Sequence, residues 1–140
     1  MRFFAMLCVG IFLTACASEN PMVQMRNDLC RKWKYDIEAI RAEAYSKTIT
    51  VSEQEYLEGA LEAFENGYVE FKTDGTLILS NTGTATMEGT WDFADEGKML
   101  KMNIYQRDDF APIEQLSPER LILGKQSNSV VFRRIFIPAE

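Results

Sequence analysis

The chain has 140 residues, no histidine, and a formal charge of −6 from 15 basic and 21 acidic side chains. Without histidine there is no imidazole general base and no Ser-His or Cys-His nucleophile pair, so an enzymatic function is not expected. The acidic balance, with no basic run, excludes nucleic acid as a partner and disfavours lying flat on anionic lipid.

Residues 1 to 20 read MRFFAMLCVGIFLTACASEN. Arg2 and the amino terminus are positive, and Phe3 to Leu13 are apolar apart from Gly10. The run is shorter than the about 20 apolar residues a spanning helix needs. A positive start, an apolar middle and small residues near a cut are the marks of a secretory signal. Leu13-Thr14-Ala15-Cys16 resembles the lipobox of bacterial lipoproteins. The resemblance implies cleavage before Cys16 and a diacylglyceryl group on its thiol. Residues 1–15 would then be signal peptide, and acyl chains on Cys16 would hold the chain to a membrane, stably if there are several. The plainer reading is an ordinary signal peptide with a cysteine near its cut site. The expected location is the cell envelope at the outer membrane, with the periplasmic or surface face left open. Cys8 leaves with the signal and Cys30 has no internal partner, so no intramolecular disulfide is expected.

Residues 16–28 show no clear period and read as the lipidated cysteine plus a tether. One domain follows over residues 29–140. WKYDI places Trp33, Tyr35 and Ile37 on one strand face. Residues 38 to 50 are ambiguous: Ile37, Ile40 and Ala44 also fit a helix, and the segment is read as a strand end and loop. VSEQEYLEGALEAFENG, residues 51 to 67, predicts a helix over about 52–66. Ser52 and Glu55 suit a capping box, and Val51 with Tyr56 a hydrophobic staple. Tyr56, Leu57, Ala60, Leu61 and Phe64 form an apolar stripe that must dock, the open end of a barrel being a candidate surface.

Seven further strands are predicted. YVEFK alternates Val69 and Phe71 against Glu70 and Lys72, and Asp74-Gly75 signals a hairpin into LILS. MEGTWDF aligns Met87, Gly89, Trp91 and Phe93; after a DEGK turn, LKMNIYQ aligns Leu100, Met102 and Ile104. FAPIEQL is weaker, with Pro112 marking an edge or a bulge. LIL and VVFRRIFIP close the chain, with turns at SPER and QSNS. Eight short, closely spaced strands predict a mainly all-β barrel or sandwich.

The ordered set KWKYD, helix, YVEFKTDGTL, GTWDF, KMLKMNI and LIL resembles the lipocalin-like domains of bacterial lipoproteins, over about residues 29 to 137. The resemblance implies an antiparallel meander β-barrel of about eight strands, with one α-helix between the first and second. Lipocalins carry Gly-x-Trp in the first strand; here Trp33 fits and Arg31 stands where the glycine would be. The resemblance also implies that an arginine from near the barrel's end, Arg133 or Arg134, covers Trp33. Such a cation–π contact is worth about 0.5–2 kcal/mol.

Trp33, Tyr35, Phe71, Trp91, Phe93 and Met102 are the candidate barrel interior, beside Val69, Leu100 and Ile104. A barrel of eight strands either fills with side chains or holds one small ligand; large aromatics on several strands favour filling. Arg133 and Arg134 are candidate ligand contacts, because a guanidinium fork binds a carboxylate bidentately. Packing over Trp33 or solvent exposure is their plainer role. Asp92, Asp95, Glu96 and the pair Asp108-Asp109 read as turn carboxylates, with no calcium-loop spacing. No cofactor and no metal are expected. Two functions stay open. One is a binding module for a small hydrophobic or amphipathic ligand, towards which the resemblance leans. The other is an interaction module, a solid barrel contacting another envelope protein.

Overall fold

A computed structural model describes residues 20–125 and 132–140. The signal sequence, Cys8, Cys16, the QSNS turn and the start of VVFRRIFIP lie outside the described residues. Eight strands close a barrel in chain order: β1 Lys32–Tyr35, β2 Tyr68–Phe71, β3 Thr76–Ser80, β4 Met87–Ala94, β5 Met99–Ile104, β6 Arg107–Ser117, β7 Arg120–Leu123 and β8 Arg134–Pro138. Every neighbouring pair is antiparallel, and β1 closes on β8 with Lys34 opposite Ile137. Closure removes the unpaired edges that an open sheet would present. The period-2 pattern explains the burial: Trp33, Tyr35, Val69, Phe71, Leu77, Trp91, Leu100 and Met102 are buried, while their strand neighbours are not.

The turns follow local chemistry. In the β2–β3 hairpin Gly75 has φ +88°, and the Asp74 carboxylate accepts from the Thr76 amide at 2.8 Å. The β5–β6 hairpin turns through Tyr105 and Gln106, at φ 52° and 60°. A two-residue turn of this hand needs positive φ at both positions, and here it is made without glycine. Pro112 lies in β6 opposite Met99, and the strand bulges just beyond it, between Ile113 and Gln115.

Three helices accompany the barrel where one was expected. Residues 21 to 28, read as tether, belong to helix α1, Pro21–Leu29. Pro21 opens it, and Asn20 caps it by accepting from the Met22 amide. Its face carries Met22, Met25 and Leu29, three and four residues apart. Leu29 is fully buried, worth about 1.5–3 kcal/mol. The Met22 and Met25 sulfurs lie against Gly97, and Arg26 donates to the Thr73 carbonyl at 3.1 Å. α1 therefore lies across the barrel end that carries the β2–β3 and β4–β5 turns.

The residues 38 to 50 read as strand end and loop instead include helix α2, Ile37–Tyr45. β1 stops at Tyr35 because the Asp36 side chain caps α2, accepting from the Ala39 amide. Helix α3, Val51–Phe64, has a capping box two residues earlier than expected. Thr50 accepts from the Glu53 amide at 3.2 Å, and Glu53 accepts from the Thr50 amide at 2.7 Å. The expected staple does not form, since Val51 and Tyr56 are exposed. Leu57 and Leu61 are buried, and Phe64 stacks on Tyr35 at 4.0 Å. α2 and α3 join the end of β1 to the start of β2, so both sit at the barrel end opposite α1. Glu58, on α3, accepts from Tyr45 at 2.8 Å and pairs with Arg41 at 3.4 Å, both on α2.

Candidate functional site

The two barrel ends are filled differently. Towards α1 the interior is solid. Trp33 has no exposed surface and donates its indole N–H to the Leu29 carbonyl at 3.0 Å. Trp91 packs edge-on against Phe71 and Phe93, and donates to the Lys72 carbonyl at 2.9 Å. The Arg26 guanidinium lies over the Trp91 ring, 4.7 Å from its centre.

Towards α2 and α3 there is a cavity of about 240 Å³. Phe71, Leu77, Leu79, Met102 and Phe136 give it an apolar wall. Tyr35, Arg107, Asp109 and Arg134 give it a polar side. Of the predicted interior residues, Tyr35, Phe71, Met102 and Arg134 line this cavity, and Trp33, Trp91 and Phe93 do not.

The two arginines are separated by the alternation at the start of β8. Arg133 points outward and is clasped by Glu43 of α2, Nε to Oε1 at 2.7 Å and Nη2 to Oε2 at 2.8 Å. Its Nη1 donates to Glu114 of β6. These bonds hold the Glu43 carboxyl below its ordinary range and push Arg133 up. Arg134 points inward. Neither covers Trp33, contrary to expectation: the cation over that ring is Arg31, 5.5 Å from the ring centre. Arg31 precedes β1 and is held there by donating to the Pro118 carbonyl at 2.7 Å.

Arg107 escaped the sequence reading, which began this strand at Phe110, and Asp109, read as a turn carboxylate, lies instead in β6 and lines the cavity. Extending the alternation back from the buried Ala111 places Asp109 and Arg107 inward and Asp108 outward. Asp108 indeed faces Lys101 and Asn103. Burial pushes the Asp109 carboxyl up, and the nearby Arg134 opposes that shift. The two approach only to 3.5 Å, Nη1 to Oδ2. Asp109 Oδ1 and Arg134 Nε and Nη2 are buried without hydrogen-bond partners among the described residues. Burial also pushes the Tyr35 phenol up to about 12, against the lowering effect of Arg134; the hydroxyl stays a donor at neutral pH.

Among the described residues no group of His, Cys, Asp and Glu side chains could hold a metal ion, and no helix is long and apolar enough to cross a membrane. Cys30 is a free, half-buried thiol whose pKa is raised chiefly by burial.

No protein-family model matches the chain, and no curated protein matches it. Among solved structures it is similar to a DUF4847 family protein from Bacteroides vulgatus, with a TM-score of 0.49 and 16% identity. The match covers 79% of this chain and 93% of that one. A likeness at this level carries no argument about function.

Proposed function

We propose that this chain is an exported, lipid-anchored binding protein of the cell envelope, whose barrel holds one small amphipathic molecule. The observation that carries the reading is the cavity, apolar on one wall and lined on the other by buried polar groups without partners among the described residues. Such groups are costly unless something satisfies them. Its size supports a small ligand: about 240 Å³ is the liquid volume of roughly eight waters. This supports the binding module over a solid-barrel interaction module.

The anchor rests on the lipobox-like run ending at Cys16. Cys16 is at most about 14 Å of chain from Asn20, which caps the helix lying across the solid end. An anchor there would keep the solid end near the bilayer and the cavity end away from it. The ligand would then be taken from the surrounding compartment rather than drawn straight from the lipid.

A melting-temperature screen tests the binding reading, because a ligand of the native state stabilises it by mass action. Amphiphiles of about eight to ten heavy atoms are expected to raise the melting temperature, and equally small polar solutes are not. No rise with any of them would overturn the reading. Separately, Cys16→Ser is expected to move the protein from the membrane fraction to the soluble one. Unchanged membrane association would overturn the anchor.

A further inference from the structure

The unsatisfied groups in the cavity have a definite geometry. The side edge of a guanidinium, Nε–H beside Nη2–H, is a two-pronged donor matched to the two oxygens of a carboxylate. Two consecutive arginines here offer that edge in opposite directions. On the outside of the barrel, the Nε/Nη2 edge of Arg133 is filled by Glu43 at 2.7 and 2.8 Å. On the inside, the same edge of Arg134 is buried and has no partner among the described residues. Asp109 does not fill it, meeting only the far Nη1 at 3.5 Å.

The charge count in the cavity has the same sense. Arg134 and the solvent-exposed Arg107 share this lining with a single carboxylate, Asp109, which pairs only with Arg134, so the formal charge of the lining is plus one, part of it solvated. The Tyr35 hydroxyl adds a neutral donor. A molecule with one negative head balances this set, and an uncharged one leaves the buried fork unanswered.

We infer that the ligand is a small monocarboxylic acid, held by its carboxylate on the Nε/Nη2 edge of Arg134 with its chain against Phe71, Leu77, Met102 and Phe136. This rests on the binding reading above and specifies its ligand class. The cavity volume limits the acid to roughly eight heavy atoms inside the barrel. An eight-carbon acid, with ten heavy atoms, slightly exceeds this, so it fills the cavity with its last atoms at the rim. A long-chain acid would leave much of its tail outside, so added length brings little affinity.

The test is calorimetric titration of the full chain with octanoate, octanol and hexadecanoate. Octanoate is expected to bind roughly ten- to a hundred-fold more tightly than octanol, the range of one charge-assisted hydrogen-bonded contact. Hexadecanoate is expected to bind no tighter than octanoate. Arg134→Gln should remove the preference for the acid, but it strands Asp109 beside no cation and could unfold the barrel. The double variant R134Q/D109N avoids that, with its fold checked by melting. It should keep octanol binding while losing the octanoate advantage. Asp109→Asn alone removes the competing carboxylate and should tighten octanoate. Octanoate labelled with carbon-13 at the carboxyl should, when bound, stay ionised at acid pH values where the free acid protonates.

Octanol binding as well as octanoate, or the double variant keeping its octanoate preference, would overturn the carboxylate assignment while leaving a binding barrel. Failure of both octanol and octanoate to bind would overturn this inference. If the broader amphiphile screen also gave no rise, the binding reading would fall with it.

Discussion

The same substitution at two glycines should act with opposite sign. A Cβ built on Gly89 lies 2.1 Å from the Asn103 carbonyl oxygen and 3.0 Å from the Ile104 side chain, where real Cβ atoms essentially never come within 3.0 Å. The near atom is backbone, so no rotamer change relieves the clash. Strands β4 and β5, which pair Thr90 with Asn103, must part locally. Overpacking of this kind costs about 1–3 kcal/mol or more. Gly59, in the middle of α3, has nothing within 4 Å of the same built atom. There alanine only removes the entropy cost of helical glycine, a gain of about 0.5–1 kcal/mol. Urea unfolding followed by the emission of Trp33 and Trp91 reads both, since each ring is buried. Gly89→Ala should lower the midpoint and Gly59→Ala should raise it, with similar slopes. A neutral Gly89→Ala would refute the strand spacing described here, and a destabilising Gly59→Ala would refute the placement of α3.

Three further outcomes follow from particular groups. Arg133 holds Glu43 below its usual range, so Glu43 adds stability above the unfolded-state value near 4.5 and loses it as pH falls through the lower folded value. Glu43→Gln should therefore cost about 1 kcal/mol at neutral pH, discounted for the partly exposed arginine, and progressively less in acid melts below pH 4.5; an equal cost at every pH would contradict the pairing. Tyr35 is raised from 10.0 to about 12, so the unfolded chain ionises first and stability falls between those values. Tyr35→Phe should flatten that alkaline decline, and ultraviolet titration should lose one late-ionising phenol. The pair Y105N/Q106G supplies residues that favour positive φ and should stabilise the β5–β6 hairpin by up to about 1 kcal/mol, read as a higher melting temperature.

The barrel was legible because alternation in half-buried strands is a local signal, and Asp74-Gly75 fixed one register. The helices were harder. α1 buries only Leu29 fully, so its periodicity is faint, although Asn20-Pro21 is a start signal. α2 was legible only as an alternative, in Ile37, Ile40 and Ala44, because Ile37 also continues the alternation of Trp33 and Tyr35; the Asp36 cap decides against the strand. The α3 capping box was misplaced because Thr50/Glu53 and Ser52/Glu55 both fit the spacing, and only the fold chooses. The cavity was not legible at all. Trp33, Trp91 and Phe93 have the same alternation as Tyr35, Phe71 and Met102, and only their height in the barrel separates packing from lining. Asp109 looked like half of a surface pair because strand parity, not composition, turns it inward.

The most direct test of a ligand-holding barrel is native mass spectrometry of the protein purified gently from its host envelope, before and after organic extraction. A discrete added mass, small enough for roughly eight to ten heavy atoms and removed by extraction, is predicted. A clean apo mass, unchanged by added octanoate or octanol, would contradict the account.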